Sequence, residues 1–239
     1  MSAAEQINNE APVVLTVTNG GIKAEFKGRS GNKIYKNIGL NSLARVLNKD
    51  AEFDTGFLPV YGKNYIAIKR YVKMGDKEIL FIEASPNNRT CKYNNVNEGE
   101  ILNVRYPGLM MAVTCRVKND GTLEPRDSRL YATQGPIIRD TDQLYRFPFA
   151  NVYEDGRICW GGVDWTRGIR NLTQAGSLLD RFLSETMNDD LYHRGNRRNE
   201  SLRDRLIGLK DAPEYPYDTL TADFQFRDLM SMVKGRSIG

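Results

Sequence analysis

Polar and apolar residues alternate through the first half of the chain and shift to helical spacing in the second. "VVLTVTNGGIKAEFKG" alternates on both sides of Asn19-Gly20-Gly21. Asn and Gly tolerate the positive φ of a tight hairpin turn, so this stretch predicts an antiparallel hairpin. "GLNSLARVLNKD" follows, with Leu43, Val46 and Leu47 on one helical face and Asn41 or Ser42 as its cap. Strand-like runs then recur between turn signals. "NYIAIKRYVK" meets "EILFIEAS" across Met74-Gly75-Asp76-Lys77, and "LMMAVTCRVK" turns at Asn119-Asp120-Gly121 towards "RLYAT". "YRFPFANVY" is a further strand candidate. Together these runs predict an antiparallel meander.

After Gly162 the period changes. "NLTQAGSLLDRFLSETMND" sets Leu178, Leu179, Phe182, Leu183 and Met187 at helical spacing, with Asn171 or Thr173 as cap. A second helix carrying Leu202, Leu206 and Leu209 lies in the charged stretch "HRGNRRNESLRDRLIGLK". From Asp211 the Pro, Tyr and Asp content predicts an extended tail. Hairpin, helix, strands and then helices make an α+β chain.

Composition narrows the function classes. A chain of 239 residues, 40% hydrophobic and 27% charged, has ample material for a core. A net charge of +4 does not by itself call for nucleic acid. "MSAAEQINNEAPVV" lacks the basic and apolar regions of a signal peptide, and the apolar run at "LMMAV" is far short of a membrane span. A cytoplasmic protein with no membrane partner is expected. The three cysteines, Cys91, Cys115 and Cys159, are odd in number and widely spaced, which argues against a disulfide framework. With His193 as the single histidine, no zinc site and no cofactor are expected. Cys91 and Cys115 sit in strand-like text and read as structural. Arg194, Arg197, Arg198, Arg203 and Arg205 alternate with Glu200 and Asp204, the pattern of a solvated helix face. These arginines carry no interleaved aromatic rings, which argues against nucleic acid.

The chemistry concentrates in "FPFANVYEDGRICWGG". Asp155-Gly156 is a strong turn dipeptide and places Asn151 and Cys159 on either side of a chain reversal. An amide beside a sulfur either stabilises an oxyanion or braces the loop through the backbone. Cys159 is either a thiolate nucleophile or a small buried hydrophobe. Trp160 and Trp165 read as packing or partner-facing surface.

"NVYEDGRIC" resembles the signature around the catalytic cysteine of ubiquitin-conjugating enzymes. Asn151, Val152, Tyr153, Asp155, Gly156, Ile158 and Cys159 fall in register with it. Phe149 and Ala150 stand where that signature has His and Pro, so packing of Phe149 is expected to hold the loop instead. The stretches "YPGLMMAV", "RLYA", "DTDQLYRFPFANVYEDGRICWG" and "LLDRFLSETMND" are similar to the prokaryotic conjugating-enzyme-like family D, which includes PRTRC system protein B. The resemblance implies a ubiquitin-conjugating-enzyme-like fold over residues 61–193. Residues 1–60 then form an N-terminal hairpin and helix, and 194–239 a charged helix and tail. It implies a bacterial transferase that holds a ubiquitin-like protein as a thioester on Cys159, with Asn151 binding the oxyanion or supporting the loop. The acid that assists the acceptor in such enzymes would fall at Asp189 or Asp190. Implied partners are a ThiF-like activating enzyme, a ubiquitin-like protein and a JAB-type protease. The missing His keeps a second reading open: an inactive relative that serves the same system as a binding or scaffold subunit.

Overall fold

The structure is a computed structural model that describes residues 14–18, 21–28, 30–38, 52–59, 65–95, 98–118, 120–166, 169, 171–192 and 200–235. The helix expected at 41–47, His193, Arg194, Arg197 and Arg198 lie outside the described residues. The chain divides into two compact units, Met1–Ala51 and Glu52–Gly239.

The first unit contains the expected hairpin, β1 (Val14–Thr18) and β2 (Gly21–Lys27), paired antiparallel with Thr18 opposite Gly21. A third strand, β3 (Lys33–Ile38), extends it to a three-stranded sheet in the order β1-β2-β3.

The second unit is mostly β. Its strands are β4 (Phe53–Asp54), β5 (Ile66–Met74), β6 (Lys77–Ala84), β7 (Asn87–Asn95), β8 (Glu98–Tyr106), β9 (Gly108–Val117), β10 (Leu123–Thr133), β11 (Gln143–Arg146), β12 (Thr186–Met187) and β13 (Ala222–Gln225). Seven of them form one antiparallel sheet in the order β13-β11-β10-β9-β6-β5-β4. Both expected turns are present: Met74 pairs with Lys77, and Val117 pairs with Leu123. Gly75 takes φ +62°, a conformation that costs glycine little. β6 pairs with β9 because the β7–β8 hairpin leaves the large sheet and forms a second one with β12. No hairpin is expected there from the sequence: "NNRTCKYNN" is largely polar and reads as strand-like only around Cys91.

The central strands are covered on both faces, which explains the continuous apolar run in β9. Leu80, Ile82, Leu109, Met111, Val113 and Cys115 join one core with Phe147, Phe149, Leu179 and Phe182. Ile79, Phe81, Met110 and Ala112 join another with Phe226, Leu229, Met230 and Val233. These last four lie on α4 (Phe226–Gly235).

The helical half departs from expectation in three places. The single helix expected after Asn171 is broken into α1 (Leu172–Gly176) and α2 (Leu178–Leu183). Met187 is not helical: it lies in β12, which runs parallel to β7 and buries Met187 beside Cys91. The tail is not simply extended, because it carries a 3₁₀ turn (Tyr217–Thr219), β13 and α4. Burial of α4's apolar stripe outweighs the turn-forming composition before it. Asn171 does cap α1, accepting from the Gln174 amide at 3.0 Å, and Ser201 caps α3 (Leu202–Gly208). The α+β expectation therefore holds only in part: short helices stand around a dominant antiparallel sheet. Among the described residues no helix is long and apolar enough to cross a membrane.

Candidate active site around Cys159

β11 ends at Arg146, just before Pro148, and the chain turns inward. Phe147 and Phe149 enter the core, where the Phe149 ring lies 4.7 Å from Tyr106 and 5.5 Å from Phe147, centroid to centroid. This anchors the segment by aromatic packing where the conjugating-enzyme signature has a histidine. Asn151 then takes φ +64°, a left-handed conformation that Asn tolerates better than most residues.

The reversal that follows is a tight frame of main-chain hydrogen bonds. Gly156 N donates to Tyr153 O at 2.9 Å, Tyr153 N to Arg157 O at 2.8 Å, and Cys159 N to Asn151 O at 2.8 Å. The turn is fastened to β10 by Leu130 N donating to Gly156 O at 2.9 Å and Ile158 N to Ser128 O at 3.0 Å. Gly156 sits at φ +80°, and a Cβ there would lie 2.1 Å from the Tyr131 hydroxyl oxygen. The glycine is thus required twice, by backbone conformation and by close approach.

Two buried side chains of β10 hold the turn from below. Arg129 Nη1 and the Tyr131 hydroxyl both donate to the Asp155 carbonyl, the latter at 3.0 Å. Arg129 is fully buried and also donates through Nε to Asp127 Oδ2 at 3.3 Å. At the Asp155 carboxylate, burial acts to raise the pKa. Hydrogen bonds from the Arg157 backbone and side chain, with the nearby Arg129 charge, outweigh it and hold the group below the usual carboxylate range. Sequence reasoning missed Arg129 and Tyr131, which are unremarkable residues in strand text.

Cys159 leaves this frame half-buried, at a cleft of about 220 Å3 lined by Asn151, Trp160, Glu185, Thr186, Asn188 and Asp190, among others. The Tyr153 hydroxyl donates towards Cys159 Sγ at 3.5 Å, with the Arg157 guanidinium 5.5 Å from the Tyr153 ring centroid. Tyr153 falls in register with the conjugating-enzyme signature, and its position six residues before the cysteine is the signal that marks it. Trp160 forms one wall, its indole N–H donating to Ser128 Oγ at 2.9 Å and its ring stacked on Trp165 at 5.3 Å.

The Asn151 amide does not end on the sulfur. Nδ2 donates to Thr186 O at 2.9 Å, tying the loop to β12 across the cleft. The two acidic candidates separate. Asp189 accepts from the Tyr93 hydroxyl at 2.7 Å and from the Leu202 amide at 3.3 Å, one bond on each oxygen. Asp190 is exposed and lines the cleft with Cys159. Among the described residues no group of His, Cys, Asp and Glu is arranged to hold a metal ion.

The family model described as Prokaryotic E2 family D matches residues 60–222. No curated protein and no solved structure matches the chain. The matched span starts before β5 and contains Asn151, Cys159, both acidic candidates and all the β10 residues that hold the loop. The chain belongs to Prokaryotic E2 family D.

Proposed function

We propose that this protein is a cytoplasmic conjugating enzyme that carries a ubiquitin-like protein as a thioester on Cys159 and passes it to an acceptor. One observation carries the reading: Cys159 stands half-buried at a cleft on a braced turn, whereas Cys91 and Cys115 are buried in the core. In this reading β5, β6, β9 and β10, with the Cys159 loop, are the centre of a ubiquitin-conjugating-like fold spanning 61–193.

The Cys159 thiolate attacks the thioester carbonyl that joins the ubiquitin-like protein to a ThiF-like activating enzyme. A bond forms to Cys159 Sγ, and the activating enzyme's sulfur leaves as a thiolate. An acceptor nucleophile, such as an amine, then attacks the new thioester. Its bond to the carbonyl carbon forms, Cys159 leaves as a thiolate, and the acceptor's proton passes to a base. Asp190 is our candidate for that base, because both oxygens of Asp189 already accept hydrogen bonds. A JAB-type protease would reverse the modification.

The Asn151–Thr186 bond favours a loop-bracing role for Asn151 over direct oxyanion binding. It is also what a binding or scaffold subunit with a retained loop would show. Intact-mass analysis separates the two readings. The protein is incubated with a ThiF-like activating enzyme, a ubiquitin-like protein and ATP. An adduct of the small protein's mass, cleaved by thiol reductant and absent in Cys159→Ala, is expected. No adduct with partners shown to be active, or an adduct that survives Cys159→Ala, sinks the carrier reading.

A further inference from the structure

The charge of this chain is unevenly placed. Between residues 21 and 38 stand Lys23, Lys27, Arg29, Lys33 and Lys36 against the single acid Glu25. That segment alone carries the whole net charge of +4, and the remainder of the chain is balanced. The segment is β2, β3 and the turn between them.

Strand alternation sorts these residues by face. The register pairs Lys23 with Asn37, Glu25 with Tyr35 and Lys27 with Lys33, so all six share one face, with Thr16 of β1 opposite Lys23. The other face carries Ala24, which is buried, the half-buried Phe26 and Ile34, and the exposed Lys36. On the polar face Lys23, Lys27 and Lys33 are exposed, and the Tyr35 ring is 51% exposed between them. Lys23 Nζ lies 4.4 Å from the Tyr35 ring centroid. Glu25 is the one acid on this face, and Lys33 already neutralises it at 2.7 Å.

We propose that this face of the N-terminal sheet binds single-stranded nucleic acid. Lysines on an exposed sheet face supply contacts to phosphates, and an exposed aromatic ring among them supplies a stacking platform for an unpaired base. An acidic protein would use the lysines but gives the exposed ring no comparable partner. A duplex hides its base faces, so it too would leave Tyr35 unused. Its residues are distinct in sequence from the arginine-rich segment at 194–205, and its test does not depend on the thioester chemistry.

The test is fluorescence anisotropy on the full chain, with a labelled oligothymidylate of about 20 nucleotides. A duplex of the same length and polyglutamate serve as competitors. Two lysine–phosphate contacts, from Lys23 and Lys27, give an expected weakening of about 7-fold between about 50 and about 200 mM salt. Lys23→Gln/Lys27→Gln/Lys33→Gln is expected to flatten that dependence. Tyr35→Ala, which changes no charge, is expected to weaken binding about tenfold while leaving the salt slope intact. Circular dichroism checks that each variant stays folded. Absence of binding at the lower salt overturns the proposal. So does binding that both folded variants retain, or tighter binding of the duplex or of polyglutamate.

Discussion

Towards the end of β9, Cys115 lies between Glu78 on one neighbouring strand and Pro125 on the other, wholly out of contact with solvent. On the turn after β11, Cys159 stands half-exposed beside Tyr153 and an open cleft. Burial pushes the Cys115 thiol up to about 12, with the Glu78 charge adding to it, and burial pushes Cys91 up to about 11. The side chain is the same in all three places; its surroundings set its chemistry. In the sheet the cost of desolvating a thiolate keeps sulfur neutral and inert. At the turn the backbone, rather than the core, fixes the sulfur's position.

The widest gap should appear in alkylation of the native protein. At about pH 8, a thiol with a pKa near that of Cys115 is ionised in roughly one molecule in 10⁴, before access is considered. Iodoacetamide is therefore expected to label the half-exposed Cys159 many times faster than the buried Cys115. Peptide mass analysis after a timed quench reads the ratio. Comparable labelling of Cys115 and Cys159 would break the comparison.

A second experiment tests whether the frame, not the core, holds the turn. Gly156→Ala meets both the strain of a φ of +80° and the Tyr131 ring. Gly161→Ala, just past the cysteine, meets a φ of +57° with nothing within 4 Å. The first is expected to cost about 3 kcal/mol and the second about 1 kcal/mol in urea denaturation. Equal costs would mean that Tyr131 yields, and that the turn is less rigidly held than the sheet.

The smallest effect concerns alkaline pH. A thiol ionises at about 9 in the unfolded chain, and burial raises Cys115 to about 12 in the fold. Its contribution to stability is intact below about 9 and is lost as pH rises from about 9 towards about 12. Between pH 8 and about 10.5, wild type should lose more stability than Cys115→Ala, by about 2 kcal/mol. Parallel decline in both proteins would remove Cys115 from the account.

Legibility in the sequence followed the same division. The meander was readable because Gly75-Asp76 and Asp120-Gly121 mark turns by local conformation alone. The Asn151-to-Cys159 reversal was readable for the same reason. Interactions spanning many residues were not. Adjacent Asp189 and Asp190 are indistinguishable as text, and the fold separates them by occupying Asp189 with Tyr93 and the α3 amide of Leu202. Met187 fits a helical stripe until β7 offers it a strand partner. The stripe on α4 is hidden behind the Pro- and Tyr-rich text before it, which reads as an extended tail. A buried arginine such as Arg129 leaves no periodic trace at all.

The clamp on the turn has a further consequence, for chemical ageing. Asp-Gly sequences isomerise to isoaspartate when the glycine nitrogen closes on the aspartate side chain. Here the Gly156 nitrogen is committed to Tyr153 O, the Asp155 carboxylate is drawn to Arg157 at 2.7 Å, and the intervening carbonyl is pinned by Arg129 and Tyr131. The folded protein should keep Asp155-Gly156 intact on storage while the denatured chain converts, a difference that peptide mapping of aged samples detects; equal conversion would count against it. The turn that presents Cys159 is in this sense also its own preservative.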